Sequence, residues 1–160
     1  MTGQEHLEQY LRDHRVAYHL LDHSPTFTAQ RTAEVEHVSG RRVMKVVMVE
    51  AEGRPVMVVV PATYRVDTGK VAAVLGVRHA RIAHEGEFAH LFPDCEVGAM
   101  PPLGNRYGVP VYVDASFVEV GEVVFPACSH TRSIALAYRD YARLVRPVVA
   151  DLVAVVHPVV

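Results

Sequence analysis

The sequence is poor in cysteine and has no long apolar run. Cys95 and Cys128 are the only two cysteines among 160 residues. They form no C-x-x-C motif, and we predict no disulfide framework from them. No segment reaches the about eighteen apolar residues of a membrane span, and residues 1–14 are polar and amphipathic, unlike a secretory signal. We therefore expect a cytoplasmic protein with no membrane partner.

The sequence also has no excess of positive charge. The formal net charge is -2, and the sequence pI is about 6.5. Broad, non-specific nucleic-acid binding usually needs a strongly basic domain, so this balance leaves room only for a local contact with phosphates. Half of the residues are apolar and 21% are charged. These values, and the absence of internal repeats or low-complexity linkers, indicate one globular domain over residues 1–160.

The motifs of several enzyme classes are absent. Ten histidines occur, but none has metal-ligand spacing: His84 and Glu85 begin like a zincin motif, and Phe88 stands where its second histidine belongs. Ser129 lies outside a G-x-S-x-G elbow, and no G-x-x-x-x-G-K phosphate loop occurs. We expect neither a metal nor a cofactor. A thiolate pair of Cys128 with His130 stays open as an alternative, although a small buried cysteine is the more common case.

Periodicity and turn residues predict an α+β domain with a mixed, mostly antiparallel sheet of about six or seven strands and helices packed around it. Strands and helices do not alternate regularly, which disfavours a doubly wound parallel sheet. The predicted helices cover residues 3–14, 28–38, 67–76, 88–92 and 138–145, and the predicted strands cover residues 16–21, 41–50, 55–60, around 82, 109–113, 118–125 and 133–137. The valine-rich residues 147–160 fit either a strand or a helix.

One lysine interrupts the most apolar strand. Residues 41–50 read RRVMKVVMVE, apolar at odd and even positions alike, which is typical of a strand buried on both faces. A buried ammonium is costly unless something compensates it. Lys45 therefore either lies on an edge strand with its amine in water, or points one cation at an anionic ligand.

Two further segments could build a site. Residues 98–102 have a G-x-x-x-P pattern, in which glycine lets the backbone approach a ligand and proline holds the loop in shape, so backbone N–H groups can be aimed at a carbonyl. Ser129, His130 and Thr131 form a polar corner between two predicted strands. Taken alone, a plain turn glycine and a solvated loop histidine are the simpler interpretations.

These features occur together in a known family. The chain resembles the YbaK/aminoacyl-tRNA synthetase-associated domain, the family of free-standing and inserted editing domains related to prolyl-tRNA synthetase. The resemblance covers roughly residues 5–146, with the strand lysine at Lys45 and the G-x-x-x-P loop at Gly98 to Pro102. It is carried by PTFTAQRTAEVEHVSGRRVMKVVMV, VVVPATYRVDTGKVAAVLG, FPDCEVGAMPPLGNRYGVPVYVD and EVVFPACSHTRSIALAYRDYARL.

The resemblance implies an aminoacyl-tRNA deacylase that hydrolyses the ester between a wrong, small amino acid and the 3′ end of a tRNA. In the family the lysine engages a phosphate near the terminal adenosine, the glycine loop contacts the aminoacyl group, and a bound water attacks the carbonyl with help from the ribose 2′-hydroxyl. The implied catalytic residues are Lys45, Gly98 and His130. The implied substrate-binding residues are Thr28, Ala99, Met100, Pro101, Pro102, Ser129 and Thr131.

The resemblance implies the tRNA acceptor end and a synthetase as partners, and the apolar residues 147–160 are expected to cover an open face of this domain or a second copy of the chain. Relatives often have glycine near position 128, where this chain has Cys128, and residues 147–160 lie outside the pattern as an apolar C-terminal extension. One alternative function is a non-catalytic module that binds tRNA ends or nucleotides and partners a synthetase. Another is an unrelated hydrolase that uses Cys128 and His130.

Overall fold

A computed structural model describes residues 1–24 and 39–155. The predicted helix over residues 28–38 and the candidate residue Thr28 lie outside the described residues. The described chain contains eight strands in two sheets, together with helices that pack against them. The predicted α+β class with mixed, mostly antiparallel pairing is confirmed, although the strands divide between two sheets.

The larger sheet is built around a hairpin of β2 (Met44–Ala51) and β3 (Arg54–Pro61), which pair in antiparallel register along their whole length. Glu52 and Gly53 form the turn with φ values of 51° and 85°. Two consecutive positive φ values give the turn that matches the right-handed twist of a hairpin. The hairpin predicted from residues 41–50 and 55–60 is confirmed.

Three further strands complete this five-stranded sheet. They are β4 (Ala80–Ile82), β5 (Val111–Asp114) and β8 (Val148–Ala150), and the strand order is β4-β2-β3-β5-β8. β4 runs antiparallel to β2, whereas β5 runs parallel to β3 and β8 runs parallel to β5. The start of the valine-rich tail is therefore a strand at the edge of the sheet.

The smaller sheet contains β1 (Tyr18–Asp22), β6 (Glu122–Ser129) and β7 (Arg132–Ala137) in the order β1-β7-β6, all antiparallel. The predicted strand over residues 118–125 is wrong at its start. Residues 115–119 form a 3₁₀ helix instead, because the Asp114 side chain caps it by accepting from the Ser116 N–H.

Four α-helices lie within the described residues: α1 (Gly3–Asp13), α2 (Thr68–Leu75), α3 (Glu85–Phe88) and α4 (Tyr138–Val145). Further 3₁₀ turns cover Ala89–Leu91 and Gly104–Tyr107. Asp67 caps α2 as predicted, and Gly76 ends it in a left-handed conformation. Val74 is 40% exposed rather than inward-facing, and Ala72 takes the buried position beside Val71. None of the described helices combines the length and apolar character that crossing a membrane would require.

The tail is anchored beyond β8. Leu152 is fully buried, and its backbone N–H donates to the Asp114 carboxylate at 2.9 Å. Val153 then bridges to Val66. Residues 148–150 thus cover the edge of β5 and Val153 contacts Val66, while residues 156–160 lie outside the described residues. An additional role of the tail as a separate extension stays a prediction.

Candidate functional site

Lys45 lies near the start of β2, where the strand lacks a full complement of neighbours. β3 pairs with it on one side, but β4 reaches only Val49–Ala51 on the other. The side chain is half-buried, and Nζ donates a 2.5 Å hydrogen bond to the Tyr64 carbonyl oxygen. The predicted strand therefore carries its lysine at a place where one edge is uncovered by β4.

No carboxylate of the described residues pairs with the positive charge at this place. Burial lowers the pKa of Lys45, and the nearby Arg65 guanidinium lowers that pKa further. Arg65 is exposed and makes no side-chain hydrogen bond or salt bridge with any described residue. Two cations therefore share this end of the hairpin, and within residues 1–24 and 39–155 the one hydrogen-bond partner of the Lys45 ammonium is a neutral carbonyl, an arrangement that favours an anionic ligand.

The loop of residues 98–102 presents one residue and buries the rest. Gly98 is exposed with a φ of +83°, which an L side chain rarely adopts. The Pro102 carbonyl accepts a 2.7 Å hydrogen bond from the buried Tyr141 hydroxyl. Four of the predicted substrate-binding residues are buried and anchor this loop: Ala99, Met100, Pro101 and Pro102.

The backbone N–H groups of Gly98 and Ala99, at the exposed end of the loop, differ in whether they have a hydrogen-bond partner. The Ala99 N–H donates to the Glu96 carbonyl at 3.0 Å, whereas the Gly98 N–H has no partner among the described residues. An unpaired amide at an exposed glycine can donate to a bound carbonyl oxygen. This is the chemistry that the G-x-x-x-P pattern predicts.

The polar corner is the turn between β6 and β7. Cys128 has a φ of +64° at an irregularity of the β6–β7 register. The Ser129 and Thr131 hydroxyl oxygens are 2.9 Å apart, and the Thr131 N–H donates to Ser129 Oγ at 3.1 Å. The two hydroxyls thus close the turn on themselves and leave His130 at its tip.

The corner and the glycine loop are in direct contact. The His130 N–H donates to the Glu96 carboxylate at 2.8 Å, and Glu96 N–H donates to the Cys128 carbonyl at 3.0 Å. His130 Nε2 lies 2.8 Å from the Val97 carbonyl oxygen. A carbonyl only accepts, so Nε2 carries the proton and cannot serve as a base. A Cβ placed on Gly98 would lie 3.6 Å from His130 Cε1.

A disulfide also joins these two segments, and the expectation of no disulfide is wrong. Cys95 and Cys128 are bonded across 33 residues of sequence, with their Cα atoms 4.2 Å apart. The pairing follows from the way the 94–98 segment returns against β6, which no local spacing reveals. Because both sulfurs are in the disulfide, the alternative hydrolase with a Cys128 thiolate loses its nucleophile in this structure.

The surroundings of the disulfide are polar on one side. The Tyr107 hydroxyl donates to the Asp94 carboxylate at 2.9 Å, and burial together with this carboxylate raises the pKa of Tyr107 to about 12. Asp94, Cys95 and Cys128 form a cluster with ligand-type atoms within 4.8 Å of one another. The disulfide occupies both sulfurs, so the cluster has no thiolate ligand to offer a metal in this form.

The Lys45 end and the corner are linked through the two sheets. Val43 and Val124 form an isolated parallel bridge, and the Val124 N–H donates to the Arg42 carbonyl at 2.9 Å. β2 and β6 leave this bridge in the same direction. Lys45 follows it by two residues and Ser129 by five, an offset of about 10 Å along the strands.

A family model described as the aminoacyl-tRNA editing domain matches residues 23–144. The chain belongs to the aminoacyl-tRNA editing domain family. The matched range includes Lys45, Gly98 and His130, and it ends before residues 147–160. An aminoacyl-tRNA editing role is therefore supported for the chain at the level of the family. A comparison with curated protein sequences finds no significant match.

Solved structures share the fold of this editing domain. A hypothetical protein, APE2540, superimposes with a TM-score of 0.84 at 22% identity, covering 92% of this chain and 99% of its own. A protein described as a proposed trans-editing enzyme for prolyl tRNA synthetase has a TM-score of 0.82 at 20% identity, covering 96% and 98%. At these identities the likeness shows the fold alone.

Sequence reasoning missed two features of the editing domain. Arg65 stands four residues after β3, and its approach to Lys45 follows from the hairpin, which returns the end of β3 to the start of β2. The predicted hairpin was therefore a sufficient signal for it. The disulfide of Cys95 with Cys128 left no comparable signal. The roles of the predicted site residues stay predictions.

Proposed function

We propose that this editing domain is a trans-editing deacylase that hydrolyses the ester of a mischarged tRNA carrying a small amino acid. The observation that carries the proposal is the Gly98 amide, which is exposed at a positive φ and donates to no described group. The loop places this donor directly beside His130. An ester carbonyl bound there would receive a hydrogen bond that strengthens as its oxygen gains negative charge.

The proposed reaction needs no protein nucleophile. A water oxygen attacks the ester carbonyl carbon, and the Gly98 N–H stabilises the resulting oxyanion. The bond from that carbon to the ribose oxygen then breaks, and the ribose oxygen leaves with a proton as a hydroxyl. The neighbouring ribose hydroxyl assists the transfer of the proton from the water. Positioning and oxyanion stabilisation supply the rate enhancement, since an aminoacyl ester is already activated.

His130 has a positioning role in this proposal. Its Nε2–H is donated to Val97 and its backbone N–H to Glu96, so both groups hold the turn against the glycine loop. The imidazole ring then forms one wall of the space in front of Gly98. Ser129 and Thr131 keep the turn closed, and we propose that the corner limits the size of the amino acid.

Lys45 and Arg65 form the proposed phosphate side of the site. Both are cations, no carboxylate pairs with either among the described residues, and burial weakens the hydration of Lys45. A phosphate of the tRNA 3′ end would supply the negative charge that pairs with these two cations. The local character of this patch agrees with the net charge of -2, because one or two phosphate contacts require no basic domain.

The test is a panel of tRNAs, each mischarged with a different small amino acid, measured for release of free amino acid at limiting enzyme. We expect multiple turnovers on at least one member and none on a correctly paired control. Absence of turnover on every member, with tight binding of a deacylated acceptor stem, would instead support a non-catalytic module that partners a synthetase.

The remaining assignments rest on the same proposal. We propose that the acceptor end is the macromolecular partner, that the protein acts in the cytoplasm, and that a synthetase or a second copy of the chain is a further partner. Val148 and Val149 on the edge strand are 47% and 46% exposed, which suits contact with a second copy. Sedimentation of the intact chain and of a variant truncated after residue 146 measures that contribution.

A further inference from the structure

The disulfide between Cys95 and Cys128 joins the two halves of the proposed site. Cys95 precedes Gly98 by three residues, and Cys128 precedes His130 by two. The hydrogen bond between His130 and Val97, and the approach of His130 to the Gly98 position, are therefore formed on segments that the disulfide joins. A covalent link at this place controls the site more directly than one elsewhere in the fold would.

The disulfide is also chemically accessible from one side. Cys95 is partly exposed, whereas Cys128 is 5% exposed. Thiol–disulfide exchange requires a thiolate to reach one sulfur along the S–S axis. An external thiol can therefore attack the Cys95 sulfur and release the Cys128 thiolate, while the reverse attack on Cys128 is blocked by the surrounding protein.

We propose that Cys95 and Cys128 are a reversible oxidation site that adjusts the glycine loop against His130, with the disulfide form holding the assembled site. In oxidation by a peroxide, the Cys95 thiolate attacks one peroxide oxygen and becomes a sulfenic acid with loss of water. Cys128 displaces the second water and closes the bond. Two thiols and one hydrogen peroxide give one disulfide and two waters. An external dithiol returns two electrons and two protons.

Reduction changes the geometry because two thiols cannot remain at bonding distance. The sulfurs must separate to van der Waals contact, which displaces the 95–98 segment from the corner by an amount on the scale of 1 Å. A misplacement of about 1 Å can cost about a hundredfold in rate. The Glu96 N–H donates to the Cys128 carbonyl and the Glu96 carboxylate accepts from the His130 N–H. These two bonds oppose full separation, so the reduced chain stays folded with a looser site.

This inference is tested by a rate measurement, which rests on the proposed function, and by a measurement of structure, which does not. The intact chain is prepared fully reduced with dithiothreitol and fully oxidised with hydrogen peroxide, and free thiols are counted under denaturing conditions. We expect two thiols in the first preparation and none in the second. In the oxidised form, we expect kcat for the preferred mischarged tRNA to be about tenfold higher or more, with KM nearly unchanged.

The structural arm is amide hydrogen exchange of the peptide covering residues 93–103, followed by mass spectrometry. We expect slower exchange in the oxidised chain, and no response to peroxide or dithiothreitol in Cys95→Ser or Cys128→Ser. The peptide covering residues 44–61 is the internal control, since β2 and β3 lie outside the linked segments. If no tRNA is hydrolysed in either form, exchange alone decides between the outcomes.

Two results would overturn the proposal. One is a pair of preparations with zero and two free thiols that have the same exchange in residues 93–103 and the same kcat. The other is a chain whose two thiols resist oxidation while the protein stays folded. Failure of the deacylase proposal alone would appear differently, as redox-dependent exchange without hydrolysis of any substrate.

Discussion

The two halves of the candidate site are built in different ways. Lys45 stands on a regular strand, held by the β2–β3 hairpin and one hydrogen bond to Tyr64. Gly98 and His130 stand on a loop and a turn, held against each other by three backbone or side-chain hydrogen bonds and a disulfide. The first half is rigid because of the sheet, and the second is rigid only while its cross-links remain.

This difference gives the two halves different tasks. A charge on a strand suits a ligand group that stays the same in every substrate, such as a phosphate. A loop pair with adjustable cross-links suits the group that varies, which is the amino acid. Substitutions at the strand should therefore weaken all substrates alike, while substitutions at the corner should separate one substrate from another.

The largest effect is expected for Lys45→Ala. Losing the cation from a desolvated charge pair should lower deacylation by roughly a hundredfold to a thousandfold on every substrate. Rates are measured at limiting enzyme, and circular dichroism checks the fold. Lys70→Ala is the matched control, since that lysine is already paired with the Asp151 carboxylate. A folded Lys45→Ala protein with full activity would remove the lysine from the site.

A second substitution of the same residue, Lys45→Met, tests how the lysine affects stability. The folded pKa of Lys45 is lowered from its ordinary value, mainly by burial. The unfolded chain therefore binds more protons between the two pKa values, and stability rises with pH as the folded lysine loses its charge. We expect Lys45→Met to melt no lower than wild type at neutral pH and to lose this rise. A marked drop in Tm would indicate a structural lysine instead.

Gly98→Ala is expected to lower the rate by roughly a hundredfold, as removal of one oxyanion donor does in other enzymes. The cost to stability should be no more than about 1 kcal/mol, because the new Cβ would meet His130 at ordinary contact distance and the positive φ is the main penalty. Pro102→Ala should do less, since it only loosens the loop.

Gly53→Ala is the matched control for Gly98→Ala. Gly53 has a φ of +85°, and a Cβ there meets nothing within 4 Å, so its conformational penalty is the same without contact to the site. If both variants lose a similar amount of Tm and only Gly98→Ala loses deacylation rate, the rate loss belongs to the loop of residues 98–102. Equal rates for wild type and a well-folded Gly98→Ala protein would make the loop a plain turn.

Arg65→Ala is expected to have a smaller effect on binding, because the guanidinium is exposed. We expect about fivefold weaker binding of a deacylated acceptor-stem RNA. The slope of log affinity against log salt should fall by about 0.7 if the residue neutralises one single-strand phosphate. Arg54→Ala, at the opposite end of β3, is the control, and an equal change in both slopes would contradict a local phosphate site.

The two halves of the site also differ in how far they could be predicted from the sequence. Lys45 stood out because a charged residue interrupts a run that is apolar at odd and even positions alike, and that pattern is local. The hairpin, the Asp67 cap and the helix after it were local in the same sense. The disulfide and the hydrogen bonds between Glu96 and the corner join residues more than 30 positions apart, and their partners are fixed by how the two sheets pack.

The smallest change in rate, and the sharpest test of the comparison, is expected for His130→Ala. The ring stands beside Gly98 and donates through Nε2, so removing it should widen the space in front of the loop and remove one hydrogen bond that holds the turn against it. One extra or missing methylene in a pocket is worth about 1–3 kcal/mol. We therefore expect the preference among small amino acids to shift toward larger ones by about tenfold, with the best rate changed less than that.

His130→Gln keeps a donor near Val97 and should restore part of the original order of preference among the amino acids, while the affinity for a deacylated acceptor stem should be unchanged in both variants. Identical rates across the whole substrate panel would make His130 an ordinary turn residue, and a uniform loss on all substrates would assign it the same task as Lys45 and erase the distinction between the two halves.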